Sequence, residues 1–135
     1  MIRSVWVLVI FLFALCLGRA QETTTYIGHF LEPFQGPQVY KDPDSGMLFY
    51  VETDGRHVAA LSSGGKLLWC KEPFKDAHLA FYRTEKPQIV YIGSAPKGVH
   101  PPGEQSGMFI SIAFNSSQSG LLIISNGDFE FLGQD

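Results

Sequence analysis

Short apolar runs cut by turn residues set the pattern of the chain after position 20, and no helical period is sustained over three turns. MLFYVE (47–52) lies between DPDSG and TDG, HVAAL (57–61) and KLLWC (66–70) flank SSGG, and QIVYIG (88–93) ends at SAPKG. MFISIAF (108–114) precedes NSSQSG, while GLLII (120–124) and DFEFLG (128–133) flank SNG. Branched and aromatic side chains suit a pleated, half-buried surface, and Gly, Asn, Asp and Ser accept the dihedrals of tight turns. The pattern predicts an all-β fold: an antiparallel meander of about eight to ten strands forming two blade-like sheets, arranged as a sandwich or a partial propeller. One segment is ambiguous. In EPFKDAHLAFYR (72–83), Phe74, Ala77, His78 and Phe81 share a helical face, yet Ala77, Leu79 and Phe81 also alternate as a strand would.

The chain also echoes itself. VAALSSGGKLLWCKEP (58–73) resembles GLLIISNGDFEFLGQD (120–135), and PQVYKDP and PQIVYIG both open on Pro-Gln upstream. Two approximate repeat units follow, about 36–73 and 77–135, within a single domain spanning 21–135. Residues 1–20 stand apart from that pattern. Arg3 precedes an unbroken apolar run, Val5–Leu17, and Gly18-Arg19-Ala20 supplies small residues at the positions a signal peptidase needs. Such a run rises only about 20 Å as a helix, short of a bilayer core of about 30 Å. A signal peptide cut after Ala20 is therefore expected, giving a secreted or periplasmic protein with no membrane association once the signal is removed.

Cleavage changes the charge and the thiol chemistry. The remaining chain carries 8 Lys and Arg against 13 Asp and Glu, and no basic cluster, so nucleic acid is not an expected partner. Cys16 leaves with the signal, and Cys70 is then alone; its neighbours Leu68 and Trp69 favour a buried thiol. Asn115-Ser116-Ser117 is a possible N-glycosylation sequon, relevant only in a eukaryotic secretory pathway. Ser62 or Ser63, His57 and Asp54 can be assembled into a triad on paper, but the serines lack a nucleophile elbow. Glu52 with Asp54, and Glu72 with Asp76, are candidate paired carboxylates for a hydrolase. DPDSG (42–46) lacks the ligand spacing of a calcium loop and reads as a turn. His29, His57, His78 and His100 show no metal spacing, so no catalytic, metal or cofactor-binding residues are assigned and no cofactor is expected.

LFYVETDGRHVAALSSGGKLLW (48–69) resembles one blade of the PQQ-like, or quinoprotein dehydrogenase-like, β-propeller repeats. Ala60-Leu61 and Gly65-Lys66-Leu67-Leu68-Trp69 fill the Ala-Leu and Gly-Lys-Leu-x-Trp positions of that repeat, and Ser62 stands where the family usually has Asp. The resemblance implies that Trp69 packs between neighbouring blades. In the second, weaker unit Phe129 or Phe131 takes its place. The resemblance carries architecture alone, because a second, adjacent Cys and a calcium-like acidic cluster are both missing from the sequence.

The expected function is binding without catalysis. An exported protein of this kind would self-associate or dock on a larger extracytoplasmic assembly through open sheet edges and aromatic contacts, with Trp69, Phe129, Phe131, Tyr50 and Tyr91 as structural or interface candidates. The alternative is a small-ligand or carbohydrate-binding module that uses aromatic residues and the loop 94–107. A third is an exported hydrolase that uses carboxylates. Leu67 and Trp69 are expected to alternate into a sheet interface, with Cys70 on the opposite face.

Overall fold

The computed structural model describes residues 33–100, 103 and 108–135. The signal segment 1–20, the cut after Ala20, His29 and much of the loop 94–107 lie outside the described residues.

The turn-bounded runs form eight strands: β1 (Gln38–Lys41), β2 (Leu48–Val51), β3 (Val58–Leu61), β4 (Leu67–Lys71), β5 (Ile89–Ser94), β6 (Phe109–Phe114), β7 (Ser119–Ile123) and β8 (Phe129–Gly133). They make two four-stranded antiparallel sheets, ordered β1-β2-β3-β4 and β5-β6-β7-β8. Each is a simple meander, so every strand pairs with its sequence neighbour.

The ambiguous segment resolves into neither long alternative. A single helical turn, α1 (Pro73–Asp76), is followed by irregular chain that carries one isolated bridge between Tyr82 and Thr84. Pro73 presets the first helical φ, and the Asp76 amide bonds to the Glu72 carbonyl at 2.9 Å. His78, at a φ of 53°, ends the turn, and Arg83, at 59°, breaks the chain direction again.

Register decides which side chains meet. In the first sheet Tyr40 pairs with Phe49, Phe49 with Ala60, and Ala60 with Trp69, giving one row across all four strands. That row, with Val51 and Val58, packs against Ile89, Ile92, Ile110, Ile112, Phe114 and Leu122 of the second sheet in one apolar cluster. Burying each large side chain contributes about 1.5–3 kcal/mol. Aromatic contacts continue through the cluster: Phe49 lies 5.9 Å from Trp69, and Phe114 meets Phe74 and Phe129 edge-on at 5.5 and 6.0 Å.

Polar ties at two points reinforce the packing. The Ile89 amide donates to the Gly55 carbonyl at 2.7 Å, and Gln88 Nε2 donates to the Asp54 carbonyl at 3.1 Å, so the β2–β3 turn grips the start of β5. At the other end Trp69 Nε1 donates to the Ile124 carbonyl at 2.9 Å. Among the described residues no buried side-chain nitrogen or oxygen lacks a partner.

Candidate functional site

Three places stand out: the Trp69 contact, the face of the first sheet turned away from the core, and a cluster around His57 beside a cleft. Trp69 sits on β4 with its ring against Gly127, in the turn between β7 and β8. A Cβ on Gly127 would come within 2.6 Å of that ring, and its φ of 78° already favours glycine. Lys71 Nζ stands 3.8 Å from Asp128 beside it. One hairpin end of the second sheet is thus seated on one residue of the first.

Among the described residues, nothing packs over the side of the first sheet opposite that contact. The row Val39, Tyr50, Ala59 and Cys70 and the row Lys41, Leu48, Leu61 and Leu67 point away from the core by strand alternation. Val39 is 61% exposed, Leu67 57% and Leu68 48%, and Lys41 is the one charged residue in the two rows. Leu67 does not follow Trp69 into the interface as alternation predicts. A bulge beside Ala60 and Leu61 places both Leu67 and Leu68 opposite Leu61, shifting Leu67 to the open side. Cys70 is likewise exposed and not buried, because among the described residues no second layer covers its face. Partial burial and the nearby Glu52, Asp54 and Asp76 carboxylates push its thiol pKa up.

At the end of β2 and the start of β3, the turn Glu52–His57 builds a polar cluster. Asp54 Oδ1 accepts the amides of Arg56 and His57 at 2.8 and 3.1 Å, which leaves Oδ2 facing His57 Nδ1 at 2.5 Å. His57 Nε2 meets Glu72 Oε2 at 3.4 Å, and Arg56 bridges Asp54 and Glu72 at 3.6 and 3.8 Å. Burial alone would raise the Asp54 pKa, but the two amides and the imidazole outweigh it and hold the carboxyl at about 2. A carboxyl so strongly acidic is a poor proton donor at neutral pH.

Asp54, Arg56 and Glu72 also line a cleft of about 870 Å³, walled by Phe74, Phe81 and Pro87. Phe74 and Phe81 stack at 5.8 Å with 13° between planes, and Phe81 is 66% exposed. A smaller cavity of about 520 Å³ lies by Tyr40, Ser94 and Phe109, next to the described part of the 94–107 loop.

No family model, curated protein or solved structure matches the chain.

The remaining candidates fall as follows. The on-paper triad does not assemble: Ser62 lies beyond the far end of β3 from His57, and its Oγ accepts the Lys66 amide at 3.1 Å in the β3–β4 turn. Asp42 is a turn residue, its Oδ2 taken by the Ser45 amide and hydroxyl at 2.9 and 2.5 Å. Asp76 Oδ2 accepts the Glu72 amide at 3.0 Å, so this carboxylate is engaged in closing the turn of α1. Phe129 lies over Gly120, whereas Phe131 on β8 is 40% exposed. Tyr50 is half-buried on the open face, and Tyr91 folds over Gly93 in the second sheet. Asn115 Oδ1 accepts the Gln88 amide at 2.9 Å, which gives the sequon asparagine a structural task. What the sequence did not disclose is the meeting of Glu52, Asp54, His57 and Glu72, since Glu72 arrives from beyond β4. The one sequence signal is the Glu-x-Asp-x-x-His spacing at 52–57, which brings three potential ligands to one turn.

Proposed function

We propose that this is an exported binding protein, without catalysis, that docks through the open face of its first sheet onto a second copy or a larger extracytoplasmic assembly. The observation that carries the reading is the apolar character of that face: Val39 on one edge strand and Leu67 and Leu68 on the other are solvent-exposed, and between them lie half-buried Leu48, Tyr50 and Leu61. Contiguous apolar surface of this kind marks interaction sites on monomeric proteins. The resemblance to propeller blades supports it, because such blades stack face to face and an outer apolar face is where the next sheet would lie. Among the described residues no helix is long and apolar enough to cross a membrane.

The test is sedimentation of residues 21–135 over a wide concentration range, beside a Leu67→Lys/Leu68→Lys variant. Concentration-dependent association abolished by the variant, with its melting point kept, is the expected result. A wild-type chain that stays monomeric throughout removes the self-association half. If in addition the variant is secreted and retained in the same complexes as wild type, docking through this face fails altogether.

A second reading has its own observation. The stacked Phe74–Phe81 pair and the mixed charges around the 870 Å³ cleft suit a small neutral ligand with an apolar face, such as a saccharide. This moves the binding module away from the loop 94–107 to the segment 72–88. Chemical-shift perturbation by neutral oligosaccharides, centred on Phe81, would support it, and perturbation elsewhere or nowhere would count against it.

A further inference from the structure

The connection between β4 and β5 is far longer than the turns inside either sheet, and an ordered connection of that length in a compact protein is usually functional. It is also held down. Buried Gln118 donates from Nε2 to the Ala80 carbonyl at 3.1 Å, and the Tyr82 hydroxyl donates to the Asp135 carbonyl. The Leu79 amide closes back on the Phe74 carbonyl at 3.2 Å. His78 and Arg83 keep left-handed backbone, at φ of 53° and 59°, a conformation that non-glycine residues hold only where their surroundings fix it. The residues on either side of Phe81 are thus tied, and its ring stacks on Phe74 while remaining 66% exposed. An aromatic ring fixed in place on the wall of a cleft loses little freedom when a ligand covers it.

The charges on that wall are mixed in sum but not in pairing. Asp54 and Glu72 are engaged by Arg56 and His57. Lys75 and Lys86 line the same cleft, both are exposed, and among the described residues no carboxylate pairs with either. One unpaired carboxylate, Glu85, stands against them, and it is shared with a smaller hollow lined by Tyr82 and Arg83. The uncompensated charge of the cleft is therefore positive, and its volume of about 870 Å³ is that of a small-molecule site.

We propose that this cleft takes an acidic saccharide: the apolar face of a sugar ring covers Phe81, and the carboxylate of a uronate unit meets the ammonium groups of Lys75 and Lys86. The proposal rests on the saccharide reading of the cleft and changes only the charge of the ligand. A neutral sugar would use the aromatic wall and leave both lysines idle. Phosphate groups would call for a cradle of backbone amides or an arginine fork, and the one arginine lining the cleft is already engaged by Asp54 and Glu72.

Chemical-shift titration of residues 21–135 with uronate trimers of galacto, gluco and manno configuration tests this, each beside its methyl ester, which keeps the rings and removes the charge. At least one acid should bind about five- to tenfold more tightly than its ester at low salt, the gain from two exposed ion pairs, and high salt should erase the gap. The perturbations should centre on Phe81. Lys75→Gln/Lys86→Gln should bring acid and ester to equal affinity, whereas Lys66→Gln, at the far turn of the first sheet, should keep the gap; these lysines are exposed, so the variants fold. Phe81→Ala should weaken acid and ester alike. Esters that bind at Phe81 as tightly as the acids overturn the acidic preference and leave the saccharide reading standing. Absence of binding by every acid and ester overturns both. A gap that survives the double lysine variant, or perturbations centred away from Phe81, also overturns the proposal.

Discussion

The two sheets have the same strand number, order and antiparallel pairing, yet they treat their second faces differently. In the second sheet every residue of β6 is buried, including Phe109, Ser111 and Ala113, which alternate away from the inter-sheet cluster; Leu121 of β7, beside Ser111, is buried too. In the first sheet the corresponding side carries exposed Val39, Leu67, Leu68 and Cys70. The difference teaches that the second sheet is buried on both faces, whereas among the described residues the first buries one face and leaves its apolar outer rows exposed. It also means that the first sheet is held in place through its inner face alone, with Trp69 a large part of that contact.

The largest expected effect exploits that dependence. Trp69→Ala removes the ring from Phe49 and Gly127 and leaves the Ile124 carbonyl without its donor, and should cost about 3–5 kcal/mol by urea unfolding. Hydrogen exchange should then show β1–β4 losing protection before β6 and β7. Equal loss in both sheets would mean that the second sheet relies on the first just as heavily, and the comparison would collapse.

A matched pair of leucines measures the two outer faces directly. Leu121 is fully buried and Leu67 57% exposed, though both alternate away from the shared cluster. Leu121→Ala should destabilise by about 2–4 kcal/mol, against no more than about 0.5 kcal/mol for Leu67→Ala in the monomer. Equal costs would show that the first sheet's outer face is covered after all.

Much of this architecture was legible because its signals are local. Each strand is an apolar run bounded by residues that form turns, and SSGG, SNG and TDG each sit where two strands reverse. Trp69 could be assigned to an interface from its place in the hairpin. The bulge that turns Leu67 outward could not, because it depends on how β4 accommodates the turn and its inward-facing Trp69. The exposure of Cys70 was half legible: alternation places it opposite Trp69, but whether that side is covered is a question of tertiary layering. The His57 cluster was least accessible. Its turn is local, but Glu72 reaches it only once β4 has run back antiparallel to β3.

Acid should loosen the first sheet through the same turn. The folded Asp54 carboxyl sits at about 2, below its ordinary value of 3.8, so its stabilising contribution is complete above pH 4 and disappears as pH falls through 2. With the side chain a third exposed, solvent screening reduces that contribution to about 1 kcal/mol. Asp54→Asn should flatten the stability profile between pH 4 and 2. An undiminished slope in that variant would move the acid sensitivity to other carboxylates.

The smallest effect concerns the thiol on the open face. Cys70 is exposed, so a thiol reagent reaches it in the folded protein, but burial of its sulfur and the charge of Glu52 hold the thiolate fraction down. Its reaction with a disulfide reagent at pH 8 should run slower than that of a free cysteine, and Glu52→Gln should speed it severalfold by removing the nearest opposing charge. If the first sheet docks face to face, the rate should also fall as protein concentration rises, because Val39, Tyr50 and Cys70 share one side of the sheet. A rate independent of both Glu52 and concentration would leave that face neither electrostatically guarded nor covered, and would separate the exposure of the first sheet from any role in assembly.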